Sequence, residues 1–274
     1  MLGQELTLAL TGRDTTALTR AELDVTDLAA VRAAVSGHSV VINAAAYTRV
    51  DDAETQESAA HAVNAIGAQN LAIATAENGA KLVQVSTDYV FDGSASEPYA
   101  ESTPINPIGA YGRTKAKGER LAQAANPLGC FIVRTAWTYG AHGPNFATTM
   151  LRLAASNATV SVVTDQLGQP TWTRDLAEQI LLLLDADATP GVYHGTNSGE
   201  ASWFDFAREV FAAAGLDPER VLPTTSAQFI RPAARPDFSV LGHDGWASAG
   251  IPPMRHWRDA LAAAHSAGAL AQPV

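Results

Sequence analysis

The 274-residue chain has little cysteine, little positive charge and no long apolar run. Its single cysteine excludes a disulfide within the chain and suits a reducing cytoplasm, where we expect the protein to be located. Eighteen Lys and Arg stand against 28 Asp and Glu, giving a net charge of −10. This balance argues against nucleic acid or an anionic membrane as the main partner. Because no apolar stretch is long enough for a membrane span and the histidines lack HExxH-type spacing, neither a membrane segment nor a catalytic zinc is expected.

Apolar runs alternate with helical patterns over the first 140 residues. Runs rich in Val and Ile predict buried strands at 39–45, 81–86 and 131–137, and a further strand is expected at 16–19. Helices are predicted at the N-terminus, on a face of Leu2, Leu6 and Leu10, and at 58–79 and 106–126. Alternation of strand and helix indicates an α/β fold with a parallel sheet, and nearly continuous apolar strands fit a sheet covered on both faces.

The pattern loosens after about residue 140. Further helices are predicted at 145–156, 173–186 and 201–216, whereas 229–241 reads as irregular. We interpret this part of the chain mostly as a substrate lobe built on the sheet domain.

The most informative chemical motif is Tyr111-Gly-Arg-Thr-Lys115. Residues four apart share a helix face, so the Lys115 ammonium can lie beside the Tyr111 hydroxyl, lower its pKa and make it a general acid or base. Taken alone, such a pair is more often an ordinary pair on an exposed face. Its context favours chemistry, because Thr87 follows a predicted strand and can hydrogen-bond a carbonyl that Tyr111 protonates.

Several motifs carry a family resemblance: INAAAYTRVDDAE, STDYVFDG, YGRTKAKGE, VRTAWTYG, NFATTMLRLA and VVTDQLGQPT. In order and spacing they resemble the extended short-chain dehydrogenase/reductases and, more narrowly, the dTDP-4-dehydrorhamnose reductase family. The resemblance covers nearly the whole chain. It implies a Rossmann-type doubly wound parallel sheet with a smaller α/β substrate lobe. It also implies NADPH-dependent reduction of the C4 ketone of dTDP-4-dehydro-L-rhamnose to dTDP-L-rhamnose, a step of dTDP-rhamnose biosynthesis.

The resemblance also assigns roles to residues. Thr87 orients the ketone, Tyr111 donates the proton, and Lys115 tunes Tyr111 and holds the nicotinamide ribose. The cofactor-binding candidates are Gly3, Arg20, Asp24, Val25, Asn43, Ala44, Ala45, Tyr111 and Lys115. The substrate-binding candidates are Asp88, Trp137, Asn145, Gln166, Pro170, Arg231 and Arg235.

Each weaker candidate has a structural alternative. Asp88 can cap a turn, Trp137 can belong to the core, and the two arginines can be ordinary surface residues. The small residues from Asn43 onward either admit a flat cofactor or simply pack between helix and sheet. Arg20 favours NADPH through its 2′-phosphate, with NADH as the other choice.

The beginning of the chain departs from the family pattern. Gly3 fits the third glycine of a GxxGxxG turn, whereas the first, central strand and the first two glycines have no counterpart. One explanation is that the chain as written starts at an internal methionine or has been shortened. The other is a true short form that has lost cofactor binding. The first explanation is favoured because Thr87, Tyr111 and Lys115 are in place. We expect the chain as written to bind NADPH weakly and to fold poorly, because this loop supplies backbone amides to the pyrophosphate.

We therefore divide the chain into a dinucleotide-binding domain, 1–142 plus 168–196, and a substrate lobe, 143–167 plus 197–274. Two other functions stay open. One is a non-catalytic relative like the regulatory subunit of methionine adenosyltransferase, and the other is an epimerase or dehydratase acting on another nucleotide sugar. The sequence leaves open a homodimer and any need for a divalent metal.

Overall fold

The computed structural model describes residues 1–186 and 188–270. Its strands are β1 (Val40–Asn43), β2 (Lys81–Thr87), β3 (Cys130–Thr135), β4 (Thr138–Tyr139), β5 (Val160–Val163), β6 (Leu167–Gly168), β7 (Thr171–Trp172), β8 (Gly191–His194), β9 (Ala201–Ser202) and β10 (Val221–Thr224). Its helices are α1 (Leu2–Ala9), α2 (Leu28–Val35), α3 (Val50–Ala53), α4 (Glu57–His61), α5 (Ala68–Glu77), α6 (Ala110–Ala125), α7 (Phe146–Ser156), α8 (Thr173–Asp185), α9 (Trp203–Ala213), α10 (Asp244–Ser248) and α11 (Trp257–Ser266).

The central sheet has four parallel strands in the order β1-β2-β3-β8. Its side chains alternate between two apolar layers, because successive residues of a strand point to opposite faces. Val83 and Phe131 face α1 and α8, while Leu82 and Ile132 face α2, α5 and α6. The sheet is therefore covered on both faces, as the apolar strands predict.

Most predicted elements are confirmed, with ends shifted by a few residues. The predicted helix at 58–79 consists of α4, a π-helical turn at Ala62–Gly67 and α5 in unbroken succession. Irregular backbone at 229–241 is also confirmed, apart from isolated bridges.

The predicted strand at 16–19 is wrong. These residues are exposed and make local contacts instead, such as the Thr19 amide and hydroxyl donating to Glu22. The physical reason is the lack of a partner, since within 1–186 and 188–270 no strand pairs with the outer edge of β1. A segment with strand propensity needs such a ladder to become a strand.

A second apolar core lies in the later part of the chain. Helices α7, α9 and α11 pack around Phe206, Phe211 and Trp257, next to the parallel pair formed by β5 and β10. Trp246 and Met254, by contrast, pack in the apolar layer that α8 forms with the sheet.

Among the described residues, no helix is both long enough and apolar enough to span a membrane.

Candidate active site

Thr87 and Tyr111 are positioned by the end of β2 and the start of α6. The chain turns after Thr87 into a short 3-10 segment, Asp88–Val90, and the Thr87 hydroxyl accepts a hydrogen bond from the Tyr89 amide of that segment. Helix α6 approaches this segment closely at Gly112, where an added Cβ would lie 2.1 Å from the Tyr89 carbonyl oxygen. Only glycine permits that approach, which brings the Tyr111 phenol beside the Thr87 hydroxyl.

The phenol of Tyr111 is a proton donor rather than an ionised base. Burial raises its pKa to about 12, the Asp88 carboxylate adds to the rise, and the Thr87 hydroxyl opposes it. The net shift of the Tyr111 pKa is thus upward, opposite to the lowering expected from Lys115, because burial and the Asp88 carboxylate dominate. A phenol that keeps its proton at neutral pH suits a reaction in which a carbonyl oxygen must be protonated.

Lys115 lies one turn further along α6 and is buried. Its ammonium donates a hydrogen bond to the Val85 carbonyl at 2.6 Å, which anchors it to the strand that carries Thr87. Burial lowers the pKa of Lys115 to about 8, and the Glu119 carboxylate opposes that shift. Lys115 therefore titrates close to neutral pH.

Asp88 is a buried carboxyl group next to the catalytic candidates. Its Oδ1 accepts a hydrogen bond from the Thr87 hydroxyl at 2.9 Å, whereas its Oδ2 has no hydrogen-bond partner. Ser239, the other nearby hydroxyl, donates to the Leu167 carbonyl instead. Burial raises the pKa of Asp88 to about 6, against the effect of the Thr87 hydroxyl that donates to it. An unpartnered buried oxygen at this place fits a substrate contact better than a turn cap.

Replacing this carboxyl group gives a pH-dependent change in stability. Because the folded-state pKa of Asp88 is raised from 3.8 to about 6, the folded protein loses stability as pH rises through that window. Asp88→Asn should therefore unfold with a free energy up to about 3 kcal/mol above wild type at pH 7.5, since one pKa unit corresponds to about 1.4 kcal/mol. The gap should close below about pH 4, as urea denaturation at both pH values would reveal.

Asp24→Asn is the matched control with the opposite sign. Hydrogen bonds from the Thr26 amide and hydroxyl lower the pKa of the exposed Asp24, so its replacement should lower stability at pH 7.5. A gap for Asp88→Asn that does not change with pH would show that its carboxyl group is not the source of the effect.

The cofactor-binding candidates around Gly3 come together at the end of β1. A Cβ on Gly3 would lie 3.9 Å from that of Ala44, so the N-terminus of α1 is close to the exposed Ala44 and Ala45. Asn43 is buried and shapes this turn through its side chain. The side-chain NH2 donates to the side-chain oxygen of Gln84, and the side-chain oxygen accepts from the backbone amide of Ala45. The small side chains leave the backbone open to a flat ligand.

Arg20, Asp24 and Val25 lie in the irregular segment before α2. Arg20 is exposed and close enough to Asp24 to contribute to the lowering of that carboxylate's pKa. Asp24 caps the turn at Thr26, and Val25 packs against Gly67 of the π-helical turn. Arg20 thus presents an exposed guanidinium beside Asp24, whereas Asp24 and Val25 hold the turn in place.

Trp137 stands between β3 and β4 in an unusual conformation. Its φ of 46° places a non-glycine residue in the left-handed region, and its ring stacks on Trp203 at 3.6 Å between centroids. Backbone strain of this kind persists only where the surroundings impose it, often at a binding site. Asn145, by contrast, caps α7. Its side-chain oxygen accepts from the Thr148 amide, and its side-chain amide donates a hydrogen bond to the Gly140 carbonyl.

The loop around Gln166 and Pro170 connects the lobe to the sheet domain. The Gln166 amide donates to the Ser226 hydroxyl, and Pro170 is buried. Gln169, which the sequence analysis did not single out, holds this loop to the Leu241 backbone with both its amide and its carbonyl. These contacts indicate a positioning role for the loop.

Arg231 and Arg235 flank one carboxylate rather than an open cleft. Arg235 forms an ion pair with Asp51 at 3.0 Å, and Arg231 approaches the same carboxylate at 4.0 Å. Asp51 also accepts a hydrogen bond from the Ala233 amide. Arg231 is more than half exposed, at 56%, so its guanidinium can reach a ligand more readily than that of Arg235, at 20%.

Other residues that shape the site carry weak sequence signals. Asp92 accepts hydrogen bonds from Ser94, Tyr99 and Asn106, and the following Gly93, with φ +82°, lies against Pro236. The Asp-Gly pair is a turn signal that could have been recognised. Asp51 gives no such signal, because its partners are about 180 residues away in the chain.

Comparison with known proteins identifies the family of the chain. A family model described as the RmlD substrate binding domain matches residues 1–269. A dTDP-4-dehydrorhamnose reductase of Streptomyces griseus is 51% identical over 95% of this chain and 88% of its own length. A dTDP-4-keto-6-deoxy-D-glucose reductase of Streptomyces niveus is 49% identical over 95% of this chain and 92% of its own length.

A solved structure extends the likeness to three dimensions. The dTDP-4-dehydrorhamnose reductase of Bacillus anthracis, crystallised in complex with NADP, aligns with a TM-score of 0.93 at 38% identity, covering 97% of this chain and 95% of the other. The chain therefore belongs to the RmlD substrate-binding-domain family, together with these dTDP-sugar reductases.

Proposed function

We propose that this protein reduces the C4 ketone of dTDP-4-dehydro-L-rhamnose with NADPH, giving dTDP-L-rhamnose. The observation that carries the proposal is the placement of Thr87, Tyr111 and Lys115 together at the carboxyl end of the parallel sheet, where ligands bind in open α/β folds. The names of the relatives support the substrate, and the NADP complex of the Bacillus anthracis enzyme supports the cofactor.

The residues divide the work as follows. The Thr87 hydroxyl orients the ketone oxygen toward Tyr111, and Tyr111 gives its proton to that oxygen. Lys115, anchored on Val85, places a cation where it can hold a ribose hydroxyl and stabilise the Tyr111 phenolate after proton transfer. NADPH, when bound, supplies the hydride.

The chain fits the cofactor at two places. The exposed Ala44 and Ala45 beside Gly3 leave backbone and the N-terminus of α1 accessible, which suits an anionic pyrophosphate. The exposed Arg20 suits the 2′-phosphate that distinguishes NADPH from NADH.

Arg20 gives a direct test of cofactor choice. Arg20→Ala should raise the Kd of NADPH about tenfold and leave that of NADH unchanged, because only NADPH offers a phosphate for the guanidinium. Arg13→Ala is the matched control, since Arg13 is another exposed arginine but pairs with Asp185. Equal loss for both dinucleotides would remove Arg20 from the cofactor site.

The outer edge of β1, with which no strand pairs within 1–186 and 188–270, gives a second test. An added N-terminal strand followed by a GxxGxx turn should pair with this edge and bring amide groups to the start of α1. We expect at least about tenfold tighter NADPH binding, since each 1.4 kcal/mol gained is a factor of ten. A Gly/Ser segment of equal length is the control, and equal affinity for both extended chains would contradict the expectation.

The proposed activity is tested by NADPH oxidation with purified substrates. Equal concentrations of dTDP-4-dehydro-L-rhamnose and dTDP-4-keto-6-deoxy-D-glucose distinguish the activities named for the two relatives. We expect turnover with the first. Product formed without net NADPH consumption would indicate an epimerase, and no turnover by a folded protein that binds NADPH would favour a non-catalytic, partner-binding role.

A further inference from the structure

Each of the last three residues of β2 lies next to a different turn of α6. The Thr87 hydroxyl is beside Tyr111, the Val85 carbonyl accepts from Lys115, and the Ser86 hydroxyl donates to Glu119 Oε1 at 2.5 Å. Tyr111, Lys115 and Glu119 are spaced four residues apart, which puts them along one face of the helix. The buried carboxylate of Glu119 is therefore the next charged group behind Lys115.

Glu119 is fixed in place by more than Ser86. It is 2% exposed, and the buried guanidinium of Arg134 donates to its Oε1 at 3.0 Å and to its Oε2 at 2.8 Å. Beyond Arg134 lies His194, whose Nε2 is 3.4 Å from Nη1. Burial and the Arg134 charge lower the pKa of His194 to about 3, so this ring stays neutral and adds no further charge.

We propose that Glu119, held by Ser86 and Arg134, is a positioning residue that keeps Lys115 charged and directed at the end of β2. Lys115 is otherwise in surroundings that remove charge, since burial lowers its pKa to about 8, and the Glu119 carboxylate acts in the opposite direction. Among the described residues, the other buried charged groups on elements packed against α6 are Asp88, after β2, and Arg134, on β3 behind Glu119. Glu119 is the carboxylate on the helix face of Lys115.

The catalytic consequence rests on the proposed function, whereas the effect on Lys115 does not. A charged Lys115 can hold the ribose and support Tyr111, and a neutral one loses the electrostatic part of both tasks. Removing the Glu119 charge should therefore move the basic limb of the kcat profile to lower pH.

The chain offers an unusually clean probe of this idea. It contains only three lysines, Lys81, Lys115 and Lys117. Protein labelled with 13C at lysine Cε should give three resonances, assigned by Lys81→Arg and Lys117→Arg, whose shifts report each ammonium titration directly. The measurement needs neither substrate nor cofactor.

The decisive comparison is between wild type, Glu119→Gln, and Glu119→Gln combined with Arg134→Met. The double variant replaces the buried ion pair by neutral groups of similar size, a change that folded proteins often tolerate. It keeps the test open if the single variant, with an unpaired buried Arg134, does not fold. Lys117→Gln on the exposed face of α6 is the matched control for charge loss.

We expect the Lys115 titration to move down by about one pH unit in the double variant and by more in Glu119→Gln, because Arg134 then repels Lys115 without compensation. Lys117→Gln should move it by less than about 0.3 unit, as expected of a solvent-screened charge. A Lys115 titration unchanged in either folded Glu119 variant would reduce Glu119 to a packing role and overturn the proposal. If the titration moves but the enzyme shows no reductase activity, the proposed function fails and the positioning role stands.

Discussion

Tyr111→Phe should lower kcat for ketone reduction about 10²- to 10⁴-fold, the range that a positioned general acid contributes. The substitution removes only the hydroxyl that stands beside Thr87 and keeps the ring that packs edge-on against Tyr89 at 5.7 Å. NADPH affinity should stay within about threefold of wild type, because the proposal assigns the ribose contact to Lys115 rather than to the Tyr111 hydroxyl. Stopped-flow or steady-state NADPH oxidation, with fluorescence titration of the cofactor, measures both quantities.

Tyr89→Phe is the matched control. Tyr89 is the other tyrosine in this part of the molecule, and burial and the Asp88 carboxylate raise its pKa as well. The Thr87 hydroxyl acts on the pKa of Tyr111 and is not among the groups that shift the pKa of Tyr89. Loss of the Tyr89 hydroxyl should therefore change kcat less than about tenfold, well below the effect of losing a general acid. Equal losses for the two variants, or more than a tenth of wild-type kcat in Tyr111→Phe, would remove Tyr111 as the proton donor.

Gly112→Ala should destabilise the protein and displace α6 from the candidate site. The new Cβ would lie 2.1 Å from the Tyr89 carbonyl oxygen and 3.0 Å from the Pro107 Cβ, so the helix must move away from the turn that follows Thr87. Overpacking of this kind costs about 3 kcal/mol of unfolding free energy. Because a displacement of about 1 Å can cost 10²-fold in rate, kcat should fall by about that factor even in the folded fraction.

Lys117→Ala tests whether the site or the helix is at fault. Lys117 is on the exposed face of the same helix, and its replacement should change stability by no more than about 0.5 kcal/mol. Urea denaturation followed by circular dichroism compares the two variants. Wild-type stability and kcat in Gly112→Ala would mean that the close contact with Tyr89 is not needed.

The fold could be predicted where one segment determines its own structure. Periodic apolar residues predicted the helices, and the Val-rich runs predicted the strands at β1, β2 and β3. The strand expected at 16–19 failed because strand formation depends on a partner elsewhere in the chain. The packing of Trp246 against the sheet could not be predicted either, because the local sequence does not indicate which apolar layer this side chain joins.

In the candidate site, too, local features could be predicted from the sequence, whereas features that depend on distant residues could not. Helical spacing was enough to put Tyr111 and Lys115 on one face of α6. It was not enough to give the sign of the Tyr111 pKa shift, which depends on burial and on the field of Asp88. Nor could it reveal that Asp51 holds Arg235, because that ion pair joins residues far apart in sequence.

The most direct test of the proposed reduction is the fate of a labelled hydride. Purified protein would be given dTDP-4-dehydro-L-rhamnose and NADPH carrying deuterium at the transferable C4 position, and the product would be examined by NMR. We expect one deuterium at C4 of the dTDP-L-rhamnose formed for each NADPH consumed. A product without deuterium at C4, or intact NADPH in the presence of folded protein and substrate, would contradict a reduction at this site.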